Sequence, residues 1–282
     1  MKEKREKTKM SNLRKGQMHI FILRLCIYAS TIVIFILSLC GNAWANEQFE
    51  ILKGFNFFKQ FSVFHILWGI WVYCMLCQII PLPGKFRMIN KICIGSQKLF
   101  KTHYKEAANR PSRKELMKEY WKMTKRGLVL LLVWVGSIAI ISGIKLTLEF
   151  AFSVDSHLLN KCLFMLSATF YACDLICGLF WCPFRTFFMK HRCCVNCRMF
   201  NWDHMMMFTP MTALPSFYSW SLLGMGLFVM FLWEVMLLIH PERFFESSNA
   251  NIKCANCTDR RCRKFGGTHA LPHKQAQKED HK

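Results

Sequence analysis

The chain has 282 residues, of which 53% are hydrophobic and 15% are aromatic, and its formal net charge is +21. Long apolar runs leave room for one membrane domain with several crossings, but not for a second large soluble domain. In a soluble protein this charge would suggest nucleic-acid binding. Here the bases flank apolar runs, where cytoplasmic retention and anionic lipid headgroups account for them, so we predict no nucleic-acid partner.

The chain begins with a basic polar tail, residues 1–17, and continues into an apolar run from about Met18 to Cys40. Such a run can span about 30 Å of hydrocarbon at about 1.5 Å per residue. The following AWA, Ala43 to Ala45, also fits a signal-peptidase site, so a cleaved signal peptide is the alternative to a first transmembrane helix. Both interpretations place the N-terminus in the cytoplasm.

Three more spans are predicted before the cysteine-rich region. The second runs from about Phe61 to Ile80 and ends at the turn PLPG. The loop 85–126 holds 13 Lys or Arg against three Glu, which predicts a cytoplasmic location. Within it SRKE, Ser112 to Glu115, is typical of a capping box that starts a helix running into the third span, about 127–144. The fourth span, about 163–180, returns to the cytoplasm.

Fifteen cysteines exceed what packing requires. Inside an apolar run a free cysteine behaves as a small hydrophobic residue, and this is the interpretation for Cys26, Cys40, Cys74, Cys77, Cys162, Cys173 and Cys177. The others lie mostly in polar, basic segments. The motif RCCVNCR, Arg192 to Arg198, lies in a stretch with four Lys or Arg and no acidic residue, which favours a cytoplasmic location.

The last apolar run, Phe217 to Ile239, creates a topological conflict. With five crossings, the basic tail and its motif CANCTDRRC, Cys254 to Cys262, would lie outside the cell, against the charge rule. The segment Met199 to Pro215 is apolar after His204 and can cross the membrane if polar residues such as Asp203 face the interface or protein. We favour six crossings and a cytoplasmic C-terminus. Five crossings plus a re-entrant segment is the alternative.

Two C-x-x-C pairs then face the same compartment. Cys194 and Cys197 can approach Cys254 and Cys257, and a two-residue spacing lets one tight turn present both sulfurs to a tetrahedral ion. Neighbouring Arg and Lys favour the thiolate forms. We predict a four-cysteine zinc site, while an iron–sulfur cluster, a reversible thiol pair and unliganded cysteines stay open. The alternative metal ligands are Cys193, Cys262 and His204.

Ionisable side chains inside apolar spans are costly unless they are paired or hydrated. Asp174 lies near the inner end of the fourth span, and Glu234 near the end of the last apolar run. Pairing with Arg185 or Arg243 is the structural interpretation. A cation or proton path through Asp174, Glu234 and His204 is the functional one.

The sequence contains no P-loop, nucleophile elbow, H-E-x-x-H or dinucleotide fingerprint, which weighs against an ATPase or a familiar hydrolase. The first hypothesis is a non-enzymatic transport-associated or scaffold component with a membrane-protein partner or a second copy of itself. The second is a metal-handling, thiol or iron–sulfur redox membrane enzyme. The predicted order is a basic tail 1–17, membrane helices 18–182, a Cys-rich module 183–262 enclosing a hairpin 199–240, and a disordered polar tail 263–282.

The run CPFRTFFMKHRCCVNCRMFNWDHMMMFTP, followed by HPERFFESSNANIKCANCTDRRC, resembles a group of uncharacterised bacterial multi-pass membrane proteins with a cysteine-rich cytoplasmic end. The resemblance covers about the last third of the chain, Cys182 to Cys262. It implies a bacterial inner-membrane setting. It brings no activity, cofactor or substrate with it, so the cysteine assignments depend on spacing and charge alone.

Overall fold

The computed structural model describes residues 22–80, 100–109, 111–179 and 202–252, together with Pro183, Phe187 and Arg198. Both predicted terminal tails, 1–17 and 263–282, lie outside these residues. The described chain is helical and contains isolated bridges but no strand. Its α-helices, in chain order, are α1 (Ile22–Leu39), α2 (Ala43–Gln48), α3 (Phe64–Ile79), α4 (Arg113–Phe150), α5 (Ser156–Leu179), α6 (Asp203–Met207) and α7 (Phe217–Ile239).

Four of the described helices, α1, α4, α5 and α7, are long and apolar enough to cross a membrane, and α3 is a shorter apolar helix. Large apolar side chains point away from the protein on these helices, for example Leu132 at 71% exposed and Phe231 at 66%. Contiguous apolar surface of this kind is unfavourable in water and favourable in hydrocarbon. The helical fold and the membrane-length helices confirm the coarser part of the predicted fold class.

Helix α4 begins as the sequence predicts. The Ser112 hydroxyl accepts a hydrogen bond from the Glu115 amide at 3.3 Å, and the Glu115 carboxylate accepts one from the Ser112 amide at 2.7 Å. These reciprocal bonds satisfy two amides that the first helical turn leaves without partners. The helix then continues without a break through the predicted third span to Phe150.

The described part of the segment predicted as a sixth crossing, residues 202–215, forms no long helix. It contains the five-residue helix α6 and the 3₁₀ helix Thr209–Ala213, after which Leu214 and Pro215 lead into α7. Helix length therefore does not confirm the sixth crossing. Proline lacks an amide donor and clashes with the preceding helical turn, so Pro210 and Pro215 limit helix length here.

The chain forms two compact units, and several helices contribute residues to both. The first unit includes residues 22–80, 136–173 and 204–227 of the described chain. Its core is aromatic: the Phe64 and Phe164 ring centroids are 4.7 Å apart, and those of Trp71 and Phe208 are 5.2 Å apart. Edge-to-face and tilted ring contacts of this kind add to the stabilisation that comes from burial.

A short loop fastens the start of α7 within the first unit. Gly54 has a φ of +47°, a conformation that residues with a Cβ atom rarely adopt. Its amide donates to the Pro215 carbonyl at 3.3 Å, and its carbonyl accepts from the Phe217 amide at 2.8 Å. The turn after α2 therefore holds the non-helical end of the segment that precedes α7.

The second unit includes residues 100–109, 111–135, 174–179 and 228–252, with Arg198 and Trp202. The segment after α7 bonds back to the segment before α4. The Ala107 amide donates to the Ser248 carbonyl at 3.0 Å, and the Ala250 amide donates to the Lys105 carbonyl at 2.8 Å. Asn249, only 2% exposed, adds a side-chain bond to the Arg243 carbonyl. These bonds fix the chain that leads toward Cys254.

Candidate functional site

The most strongly connected polar group of the second unit is Arg198, the last residue of RCCVNCR. Its Nε donates to Glu234 Oε1 at 3.0 Å and its Nη2 donates to Glu234 Oε2, so the pair is bidentate. Its Nη1 donates to Thr124 Oγ1 at 2.7 Å. A planar guanidinium matches a carboxylate in this two-bond geometry, which fixes orientation as well as charge.

Aromatic side chains complete this pair. The Trp202 indole donates to Glu234 Oε1 at 2.8 Å, and its ring centroid lies 5.4 Å from the Arg198 guanidinium carbon. The Tyr120 ring lies 5.8 Å from the same carbon. Arg198 is 9% exposed and has a negative partner, three hydrogen bonds and two aromatic neighbours. Such a group is suited to holding chain segments together rather than to transferring protons.

Glu234 is one of the two intramembrane ionisable residues that the sequence singles out, and its partner differs from the expected one. Arg185 lies outside the described residues, whereas the carboxylate of Glu234 binds Arg198. The other predicted residue, Asp174, lies on the exposed face of α5 in the second unit. Arg198 was not predicted as the partner of Glu234, because the charge pattern assigns Arg198 to the cytoplasmic cysteine loop.

His204, an alternative metal ligand in the sequence-based prediction, belongs to the first unit. Its Nδ1 lies 3.2 Å from the Gln78 side-chain nitrogen, and its ring lies 6.5 Å from that of Phe208. The neighbouring Met205 and Met207 are buried, in agreement with packing residues. The described neighbour of the His204 imidazole is thus the side-chain amide of Gln78.

All six cysteines of the predicted metal site lie outside the described residues: Cys193, Cys194, Cys197, Cys254, Cys257 and Cys262. Among the residues that the structure does describe, no three His, Cys, Asp or Glu side chains form a group suited to a metal. What the structure defines is the chain on either side of the cysteines. Arg198 directly follows Cys197, and the buried Ile252 lies two residues before Cys254.

Both flanks contact neighbouring turns of α4 in the second unit. Arg198 bonds to Thr124 and lies over Tyr120, while the Ser247 hydroxyl donates to the Glu119 carboxylate at 2.9 Å. Glu119 and Thr124 are five residues apart, which corresponds to about 7.5 Å along a helix. The two flanks therefore contact α4 within about one and a half turns of each other.

A second polar cluster, which the sequence reasoning missed, lies in the first unit. The ammonium of Lys161, 8% exposed, donates to Ser38 Oγ at 2.8 Å and to Asn46 Oδ1 at 2.6 Å. It also lies 5.5 Å from the Phe49 ring centroid. A lysine directly after Asn160 in a mostly apolar stretch was the available signal. This cluster links α5 to α1 and α2 through neutral oxygen atoms.

No family model matches the chain, and neither a curated protein nor a solved structure shows significant similarity to it. The resemblance to bacterial membrane proteins with a cysteine-rich end therefore stays a prediction.

Proposed function

We propose that this chain is an integral membrane protein of six crossings whose cytoplasmic cysteine-rich module binds one structural zinc ion. The ion would close the hairpin 199–240 by joining the chain before it to the chain after it. The role that fits best is a non-enzymatic transport-associated or scaffold component. The observation that carries this proposal is the attachment of Arg198 and Ser247 to neighbouring turns of α4.

The sixth crossing is supported by the contacts of this segment within the first unit. The Ala213 carbonyl accepts a hydrogen bond from Lys145 Nζ of α4 at 2.7 Å, although the ammonium group lies in a mostly apolar helix. A polar backbone group at membrane depth requires such a protein partner.

The non-helical form of this segment is compatible with a membrane setting. Irregular backbone is tolerated at membrane depth where protein surrounds it. The residues from Met205 to Met211 meet this condition, since six of the seven are buried. We therefore infer that the segment crosses the bilayer among the other helices. With this crossing, the basic loop 85–126 and the basic C-terminal tail lie together in the cytoplasm.

The zinc assignment follows from the spacing of the cysteines and from their anchored flanks. Four thiolates bind zinc tetrahedrally with bonds of about 2.3 Å, and metal-linked folding energy can hold segments that lack a core of their own. Cys197 directly precedes the anchored Arg198, and Cys254 lies two residues after Ile252, the last residue of the bonded segment 248–252. An iron–sulfur or redox-active thiol site is the competing chemistry for the same cysteines.

The test is metal analysis of the purified full-length protein. We expect about one zinc per chain and a colourless protein. Cys194→Ser and Cys254→Ser should each lose zinc and accumulate less in the membrane, because each removes a ligand. Cys173→Ser, which changes an exposed cysteine of α5, is the matched control and should change neither quantity.

Two results would contradict the proposal. Brown protein that contains iron and sulfide would assign the cysteines to electron transfer. Normal zinc content and normal abundance in both ligand variants would show that these cysteines do not clamp the hairpin.

A further inference from the structure

Two cysteines in the first unit form a thiol pair separate from the predicted zinc module. Cys74 and Cys77 lie three residues apart on α3, so both project from one side of the helix with Cβ atoms about 5–6 Å apart. Neither belongs to a disulfide. Cys77 is 3% exposed, so its thiol lies in the protein interior. Sequence reasoning had treated both cysteines as apolar filling.

A cation from another helix approaches this pair. Arg24 of α1 donates from Nη2 to the Cys74 sulfur at 3.1 Å. A charged side chain in an apolar helix is costly unless a polar or oppositely charged group pairs with it. Among the described residues, the hydrogen-bond partner of its side chain is this sulfur rather than a carboxylate. Arg24 can therefore balance one negative charge on a pair of thiolate ligands.

Charge and ligand number identify the cation that such a pair suits. Two thiolates and one monovalent cation carry a net charge of −1, which Arg24 neutralises. A divalent cation would leave the arginine charge unbalanced. In the described chain no third His, Cys, Asp or Glu side chain joins the two thiols, whereas zinc prefers four ligands. Soft sulfur ligands in low number are typical of Cu(I).

We propose that Cys74 and Cys77 bind one Cu(I) ion between them and that Arg24 supplies the balancing charge. Each thiol releases its proton as its metal–sulfur bond forms, and the metal stays in the +1 state, so no oxidant or reductant is consumed. Bonds of roughly 2.3 Å place the sulfurs about 4.6 Å apart in a linear arrangement. The spacing of the two residues on one helix face allows this separation.

The test is a Cu(I) competition with the full-length protein in detergent, under anaerobic conditions, against an excess of bathocuproine disulfonate. The chelator keeps free Cu(I) too low for isolated thiols to bind it. We expect wild-type protein to take up one more Cu(I) per chain than either Cys74→Ser or Cys77→Ser. Cys40→Ser, which alters an exposed cysteine beside α1, is the control and should match wild type.

Residue-specific alkylation separates this site from the cysteine-rich module. N-ethylmaleimide labelling, read for each cysteine by peptide mass spectrometry, should slow at least tenfold at Cys74 when buffered Cu(I) is present. Cys77→Ser should abolish this protection. Arg24→Gln should weaken Cu(I) binding about 10- to 100-fold, the usual effect of losing a group that supports a metal ligand, and Arg24→Lys should lose less.

Unchanged labelling of Cys74 in the presence of Cu(I) would overturn the proposal, as would equal Cu(I) uptake by wild type and Cys77→Ser. Loss of zinc from the module does not affect this test, because the alkylation of each cysteine is measured separately. Conversely, protection of Cys74 from alkylation is not evidence for zinc at Cys194. The two sites can therefore fail independently.

Discussion

The Arg198–Glu234 pair shows how a buried charge is accommodated in this chain. The side chains are 10% and 20% exposed, so both ions have lost most of their water. Desolvation offsets much of the attraction within a buried pair, yet removing one partner leaves the other charge without compensation. Here Thr124 and Trp202 also bond to the pair, which reduces the cost of burial. The pair therefore fixes the position of the chain next to Cys197.

Glu234→Gln should destabilise the protein by about 3 kcal/mol, because the neutral amide leaves the Arg198 charge buried without a counter-ion. The measurement is the free energy of unfolding of the detergent-solubilised protein in a titration with a denaturing detergent. Glu50→Gln is the control. Glu50 pairs with Lys53, whose side chain is 44% exposed, so the expected change is below about 1 kcal/mol.

A double variant distinguishes charge burial from a general packing defect. Arg198→Met combined with Glu234→Leu removes both ions and should recover much of the lost stability. If the double variant is less stable than Glu234→Gln alone, the hydrogen bonds rather than the charges hold this region together.

The sequence predicts part of this site. An acidic residue inside an apolar run needs a partner, and Glu234 could be identified on that basis. The partner of Glu234 could not be predicted, because the Arg198–Glu234 pair depends on the tertiary packing of the chain around Trp202 against α7. The sequence suggested Arg243 or Arg185, because both follow the inner end of an apolar run. Arg198 reaches Glu234 across 36 positions of sequence.

At the level of elements, continuous apolar runs predict the bounds of helices well. Polar residues within a helix lead to wrong predicted bounds. The predicted span 217–239 has the same bounds as α7. Helix α5, in contrast, begins at Ser156 rather than near Leu163. Its first turns include Asn160 and Lys161, which lower the apolar signal. Tertiary hydrogen bonds from Lys161 to α1 and α2 make those turns part of the buried helix, and a single-sequence pattern does not contain them.

The non-helical segment depends on close packing against α7, and two glycines of α7 test this. A Cβ atom at Gly226 would lie 3.6 Å from the Met205 backbone, whereas one at Gly224 would meet nothing within 4 Å. Gly226→Leu should therefore reduce the free energy of unfolding by about 2 kcal/mol relative to Gly224→Leu. Both variants gain the same helix propensity, so their difference reports the contact.

Gly226→Ala provides the second control. A contact of 3.6 Å is an ordinary van der Waals separation, so a single methyl group should fit without loss of stability. Equal stability of the two leucine variants would mean that Met205 does not pack against α7 in the membrane. The same detergent titration measures all three variants.

At the level of the whole molecule, crossing number is the property that composition leaves open. Four described helices satisfy the criteria of length and composition for a membrane span, and α3 falls short in length. The described residues 202–215 contain only short helices. A hydropathy pattern detects long apolar helices but not a segment built from short helical turns. Such a segment depends on neighbours that satisfy its backbone, and here Lys145 of α4 and Ser219 of α7 donate to the Ala213 and Leu214 carbonyls.

Six crossings require that Lys282 and the N-terminus lie on the same side of the membrane, and reporter fusions in a bacterial host measure this. We expect a green fluorescent protein fused after Lys282 to fluoresce and an alkaline phosphatase at the same position to be inactive. A fusion after Val154, in the connection between α4 and α5, should give the opposite pattern. An active phosphatase after Lys282 would leave an odd number of crossings and place Cys254 and Cys194 on opposite sides. A shared zinc ion would then be ruled out, whereas the thiol pair on α3 would be unaffected, since it lies within one helix.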